Sequence, residues 1–494
     1  MNKRQAYTSY IHLLLGSLLL LYLIFPTHND TLDSWAYAAE IKHGGTLFHP
    51  HHLLFNATHF LLLSLLPVAV PVIAWLKAVN AVMAYFSLRI LVKILRIMML
   101  TEQQILGWVL VVGSSFAVMR FATEGETYLL PVFFSLLGSF YFLKFSINRQ
   151  HTSLLLAGTF CAMACLFHQI QIGWYLGLML GATYLAKRKA WLILLPALLI
   201  PLVYVLVWKS IGSHEAFFQF INRDFYTGTA TFSIGFKNVL LTAANFIRSF
   251  FQVHGIIPFF LRKSPWAYAA ILSMILLLIW TIRKGGSIGW KDLSSPFQVF
   301  RYIHLGIFLL QLFLAFLSLG NAEFMVMLPF LLPLWIPAFI SFQPQLLIGL
   351  GGILLIWNLT FGLFPRSSHT YYSHEKLIAF IRENPADYYL LKDKNLLANR
   401  LYYEEGEAFE TPLRLISINS ISMEEWIKLL EVAEAEQRQI YTDALDKPQL
   451  LSRVSLLAQS QLDLKTCEWN SLFSIPAYLG TYHVFQLKRC ESTP

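Results

Sequence analysis

The sequence predicts an α-helical polytopic membrane protein carrying a small C-terminal α/β domain, and three observations lead there. Of the 494 residues, 56% are hydrophobic and only 13% charged, where an ordinary soluble domain carries roughly 25% charged residues. The apolar residues also collect into runs near the length of ~20 that a helix needs to cross about 30 Å of hydrocarbon. After Pro365 those runs stop, and the charge balance turns from 23 Lys+Arg against 10 Asp+Glu to 14 against 18. The formal net charge of +9 therefore belongs to the apolar part, where basic residues at segment ends orient helices and meet anionic headgroups. Membrane lipids are expected partners and nucleic acid is not.

The N-terminal MNKRQ precedes an apolar run from Ile11 to Phe25 and then FPTHND, with no small-residue cleavage site. It reads as an uncleaved first span whose Lys3 and Arg4 hold the N-terminus in the cytoplasm. Leu53 to Leu65 comes next as an interfacial helix on the outer face. Later spans alternate by the same positive-inside rule: Val72 to Val92, Ile105 to Phe121, Tyr128 to Phe145, Ser153 to Phe167, Ile172 to Leu185, Trp191 to Trp208, Trp266 to Ile282, Tyr302 to Leu319, Phe324 to Ile340 and Leu346 to Leu363. That makes about eleven transmembrane helices with the C-terminus outside, in a bacterial cytoplasmic (inner) membrane. The apolar stretch Phe236 to Phe260 is interrupted by Asn245, Arg248, Gln252, His254 and Gly255, and reads as helices lying on or dipping into the outer leaflet. The expected domains are residues 1–365, with outer loops 26–71 and 209–263, and a soluble periplasmic α/β domain, 366–494. In the latter, β-like runs (Tyr388 to Leu391, Leu413 to Ile418, Gln439 to Thr442, His483 to Leu487) alternate with helical patterns at His374 to Glu383 and Met423 to Gln437. Cys467 and Cys490 either pair there or stay free, whereas Cys161 and Cys165, i,i+4 in an apolar helix, read as packing residues.

Polar groups in or beside a membrane are costly to bury, so their placement reports function. By this topology they gather at the outer ends: Asp30, Asp33, Glu40, His49, His51, His52, Glu124, Glu126, His168, Gln169, Arg223, Arg248, His254 and Glu323. The cytoplasmic ends carry little beyond Lys and Arg. Lys77 lies inside a span, where it either belongs to a functional site, snorkels to the outer headgroups or pairs with a loop carboxylate. The cluster HPHH, residues 49–52, either holds a divalent metal or shapes the loop and bonds substrate.

The motifs DSWAYAAEIKHGGTLFHPHHLL, EGETYLLP, LFHQ and GNAEF resemble the GT-C superfamily of glycosyltransferases, which includes protein O-mannosyltransferases and lipid A aminoarabinose transferases. The resemblance implies a GT-C-like fold and a polyprenyl-phosphate-linked sugar donor. It also implies transfer with inversion to an acceptor hydroxyl of a glycan, lipid or protein on the extracytoplasmic face, in building a cell-envelope glycan. Asp33 becomes the expected catalytic base, with Asp30 and Glu124 as alternatives. The donor phosphate and sugar fall to Lys77, Arg120, His168, Arg223, His254, Glu323, His51, His52 and Tyr37. A polysaccharide polymerase or ligase using a lipid-linked glycan is the nearest alternative, and a lipid or solute transporter a more distant one.

Overall fold

The computed structural model describes residues 3–212, 215–223, 234–253, 255–285, 289–290, 295–371, 374–406, 414–445, 462, 464 and 467–490. The chain divides into two compact units. The first comprises Met1–Pro26, Thr46–Val253 and Ser264–Phe364; the second comprises Thr27–Gly45, His254–Lys263 and Pro365–Pro494. Two short segments that precede or interrupt the apolar helices therefore fold with the C-terminal residues.

The first unit is helical. In chain order it contains α1 (Lys3–Ile24), then, after α2 of the second unit (Leu32–His43), α3 (Phe55–Ser64), α4 (Val72–Ile97), α5 (Glu102–Gly113), α6 (Phe116–Phe121), α7 (Leu129–Asn148), α8 (His151–Phe167) and α9 (Ile172–Ala186). Next come α10 (Trp191–Ser210), α11 (Phe217–Ile221), α12 (Phe236–Phe250), α14 (Ala267–Lys284), α15 (Ser295–Leu317), α16 (Leu328–Trp335) and α17 (Pro344–Ser368), while α13 (Ile256–Lys263) belongs to the second unit. Seven described helices, α1, α4, α7, α10, α14, α15 and α17, are long and apolar enough to cross a membrane. The shorter α8 is apolar too, as is the irregular stretch Ala322–Trp335. The chain is a polytopic membrane protein.

Several expected spans take a different form, each for a local reason. Ile105 to Phe121 is two helices, because Ser115 adopts an extended conformation at the start of α6 and its hydroxyl bonds back to the Val112 carbonyl at 2.7 Å. Phe324 to Ile340 is a tight 3₁₀ turn, a short helix containing Pro333 and a second turn, since a proline inside a helix removes a backbone donor. The apolar stretch 236–260, expected as broken helices, is two helices, α12 and α13.

Most of the helices pack through one buried apolar core drawn from α1, α4, α5, α7, α8, α9, α15, α16 and α17. Close approach is made by small residues, as expected where apolar surroundings give no hydrophobic drive between helices. At the crossing of α5 and α17, a Cβ on Gly351 would lie 2.7 Å from Leu110 Cγ and 2.9 Å from the Val111 nitrogen. One polar residue of α17 joins the ends of α5 and α12 there. Asn358, fully buried in α17, donates to the carbonyls of Ser114 (2.7 Å) and Phe250 (2.6 Å) and accepts from the Gln252 amide (2.8 Å). Just beyond it, Leu359–Leu363 widens into a π-helical turn, a form concentrated at functional positions.

In the second unit the strands are β1 (Tyr388–Leu391), β2 (Leu415–Ser417), β3 (Ile440–Thr442), β4 (Cys467–Ala477) and β5 (Gly480–Cys490), in the order β2-β1-β3-β5-β4. The first three are parallel, and the last two form an antiparallel hairpin added beside β3. Helices α18 (Glu375–Glu383), α19 (Lys394–Glu405) and α20 (Met423–Ala435) connect the parallel strands or precede them. The composition reading found β1, β2, β3 and β5 but neither α19 nor β4. Residues on β4 alternate weakly between buried and exposed, so periodicity gives little to read. Cys467 and Cys490 are joined by a disulfide that closes the open end of the hairpin.

Candidate functional site

The densest buried polar group of the first unit lies at the junction of α6 and α7, in the motif EGETY. Glu124 is 0% exposed and Glu126 1%, which in an apolar bundle requires partners. Arg120, one turn earlier, partners Glu124: its Nε donates to both carboxylate oxygens at 3.0 Å. Asn80 of α4 holds the backbone of the same turn, its amide nitrogen donating to the Glu124 carbonyl at 2.7 Å and the Glu126 carbonyl at 2.6 Å. Lys77 is three residues before Asn80 on α4, about 5–6 Å away on the same helix face. Glu323 joins from the turn before α16 by accepting from the Tyr128 hydroxyl at 3.0 Å, and its backbone amide is capped by Asn321 at 3.1 Å.

Tyr128 links this charged group to a cluster of imidazoles. Its ring lies 4.9 Å from that of His168, which lies 5.1 Å from His52, and His52 stacks on His49 at 5.0 Å. The loop carrying these histidines is fixed by backbone bonds, Leu54 donating to the Leu166 carbonyl (3.1 Å) and Gln169 to the His51 carbonyl (2.9 Å). Side chains add to this: His51 Nδ1 pairs with Gln169 Oε1 at 2.9 Å, while Gln169 and Tyr204 run on through the Tyr204 hydroxyl to the Pro50 carbonyl. Burial and the neighbouring imidazoles push His52 well below the usual histidine range and His168 to about 3, so both are neutral near pH 7. His168 Nδ1 accepts from the Ile170 amide at 3.3 Å, which leaves its proton on Nε2, and that buried nitrogen has no acceptor among the described residues. His49 and His52 stack, while His168 meets His52 edge-on. Among the described residues no group of three or more His, Cys, Asp or Glu has the spacing to hold a metal ion.

Of the residues expected to form the site, Arg120, Glu124, Glu323, His168, His51 and His52 are brought together, with Lys77 one turn from Asn80. Glu124 is engaged by both oxygens, which suits it to fixing Arg120 better than to accepting a proton. Arg223 is paired with Glu215 at 3.2 Å, about a third exposed, and lies over the ring of Phe220. His254 lies outside the described residues. Asp30, Asp33 and Tyr37 belong to the second unit. There Thr31 caps α2 by accepting from the Ser34 amide at 3.1 Å, with Asp33 in the first turn.

The sequence reading missed Asn80 and Tyr128, although an Asn in the middle of an apolar span is the same kind of signal that drew attention to Lys77. It also missed a polar seam within the bundle. Trp174 Nε1 donates to Ser139 Oγ (2.8 Å), Ser139 pairs with His304 Nε2 (2.8 Å), and His304 Nδ1 meets the Phe300 carbonyl (2.6 Å). Arg301 and His304 of α15 are both 0% exposed. The expected gathering of polar chemistry at the outer ends is thus incomplete, because Arg301 and His304 stand near the start of α15, which the sequence topology placed on the cytoplasmic side.

No protein-family model matches the chain, and neither does any curated protein sequence. Among solved structures, it is similar to a crystal structure of ArnT from Cupriavidus metallidurans in the apo state, with 12% identity and a TM-score of 0.47 over 97% of this chain and 98% of that one. It is also similar to ArnT from the same organism bound to undecaprenyl phosphate, with 11% identity and a TM-score of 0.43 over the same shares.

Proposed function

We propose that this chain is a membrane glycosyltransferase of the GT-C type. It moves a sugar from a polyprenyl-phosphate donor to an acceptor hydroxyl on the extracytoplasmic face, with inversion at the anomeric carbon. The observation that carries the reading is the buried assembly at the α6–α7 junction, where charged and neutral polar side chains converge inside an otherwise apolar bundle. A structural bundle has no need of so costly an arrangement.

In this reading, which takes the base from the resemblance of the first-loop motif, the Asp33 carboxylate removes the acceptor hydroxyl proton as that oxygen attacks the anomeric carbon. The bond from that carbon to the phosphate oxygen breaks, its electron pair stays with the phosphate, and polyprenyl phosphate leaves. The developing charge needs preorganised donors. Lys77 supplies one, and Arg120, which among the described residues bonds through Nε to Glu124, supplies another from its terminal nitrogens. His168 offers its Nε2–H as a neutral donor. Three carboxylates (Glu124, Glu126, Glu323) outnumber these two cations. Undecaprenyl phosphate, the lipid bound in one of the compared structures, is the lipid class assigned to the leaving group.

The test uses purified full-length protein in nanodiscs with a panel of undecaprenyl-phosphate hexoses, product release being monitored by mass spectrometry. Asp33→Asn is expected to lower turnover by roughly 10²–10⁴-fold, the usual contribution of a general base, with unchanged thermal unfolding. Full turnover in that variant removes Asp33 from the mechanism.

A further inference from the structure

The second unit contains more than the C-terminal residues: α2, which bears Asp33, is built into it. Asn29, just before α2, donates through its amide nitrogen to the carbonyls of Arg366 (2.9 Å) and His369 (2.7 Å), and its side-chain oxygen accepts from the Tyr371 amide (2.7 Å). The His28 amide bonds to the same Arg366 carbonyl at 2.8 Å. These bonds tie the chain leading into α2 to the chain leading into the sheet.

Along α2 itself the partner is α19. Asn399 donates to the Leu32 carbonyl at 2.9 Å. Trp35 packs edge-on against Tyr403, centroids 5.1 Å apart, with the Arg400 guanidinium 5.5 Å from its ring. At the other end Lys42 Nζ donates to the Tyr403 carbonyl at 2.6 Å and lies over the Tyr403 ring, and His43 Nε2 is 3.1 Å from that carbonyl. Arg400 is itself steered by Glu404, 3.2 Å away, and Glu375, 3.5 Å away. Successive helical residues turn by about 100°, so Asp33 and Trp35 stand roughly 200° apart around α2. The face that meets α19 is therefore opposite the one that presents Asp33.

We infer that Asn29, Arg400 and Tyr403 are positioning residues for Asp33, and that the C-terminal domain acts on the reaction by holding the helix that carries the base. This rests on the reading of Asp33 as that base. None of the three residues needs to touch substrate. Their effect is on where one carboxylate stands, and a displacement of about 1 Å at a reacting group costs on the order of 10²-fold in rate.

The experiment uses the full-length protein in nanodiscs and the same undecaprenyl-phosphate hexose panel, together with hydrogen exchange over residues 32–43 and over β1 and β3. Tyr403→Ala and Asn29→Ala are expected to lower kcat about 10- to 100-fold while KM for the donor stays within about twofold. Exchange is expected to rise in α2 and to stay unchanged in the sheet. Asn29→Ala removes only the bonds to residues 366–371, so it decides the matter if Tyr403→Ala disturbs the sheet. If Asp33→Asn is inactive but Tyr403→Ala and Asn29→Ala keep their kcat, or if α2 exchange does not change, the positioning role is wrong and the base survives. If Asp33→Asn is active, the base assignment falls first and takes this inference with it.

Discussion

At the scale of single residues, the imidazole cluster makes a prediction whose sign is set by burial. His52 and His168 have folded-state values lowered from about 6.5, to about 3 for His168. The unfolded chain therefore binds protons more readily, and stability is complete above pH 6.5 and lost as the pH falls toward 3. Thermal unfolding in detergent is expected to show a midpoint that drops between pH 7 and pH 4.5, and His168→Gln is expected to flatten that drop. An equal slope in the variant would mean that other groups dominate the acid limb. Lys77, Glu124 and His168 were legible in the sequence because each interrupts an apolar run. What could not be read was who holds whom. Nothing local tells that Asn80 reaches two carbonyls 44 and 46 residues later, or that Arg120 uses Nε on Glu124.

At the scale of elements, the helix ends gathered by Asn358 are the feature to perturb. Asn358→Ala leaves the Ser114 and Phe250 carbonyls without their side-chain donor and the Gln252 amide without its acceptor. An uncompensated buried polar group costs about 1–3 kcal/mol, so the unfolding midpoint is expected to fall clearly, while Asn358→Gln, longer by one methylene, is expected to recover little. A midpoint unmoved by either change would show that these helix ends are held by apolar packing alone. Sequence patterning located most of the long helices, since hydrophobic length is a one-dimensional property. It did not locate the break at Ser114 and Ser115 or the π turn at Leu359–Leu363. The break follows the extended backbone of Ser115, and both features flank Asn358, whose side chain bonds the Ser114 carbonyl.

At the scale of the whole molecule, the positive-inside reading makes a prediction of its own: the C-terminal domain is extracytoplasmic. The Cys467–Cys490 disulfide suits that side, where thiols are not kept reduced. Single cysteines introduced at exposed positions such as Glu424 or Glu468 are expected to react with a membrane-impermeant maleimide in intact spheroplasts. Reaction only after permeabilisation would invert the topology. The composition shift at Pro365 was plain in the sequence. That residues 27–45 fold with the chain beyond Pro365 was not, because membership of a folded unit is set by long-range bonds such as those of Asn29, and those leave no mark on composition.

That arrangement has a consequence for how the protein is made. The segment 27–45 leaves the ribosome well ahead of α19 and the last strands that complete its unit, which come hundreds of residues later. At about 5–20 residues per second, α2 waits on the order of a minute with its tryptophan uncovered. Through that interval the side of α2 that carries Trp35 lacks the Tyr403 and Arg400 side chains that meet it in the folded unit.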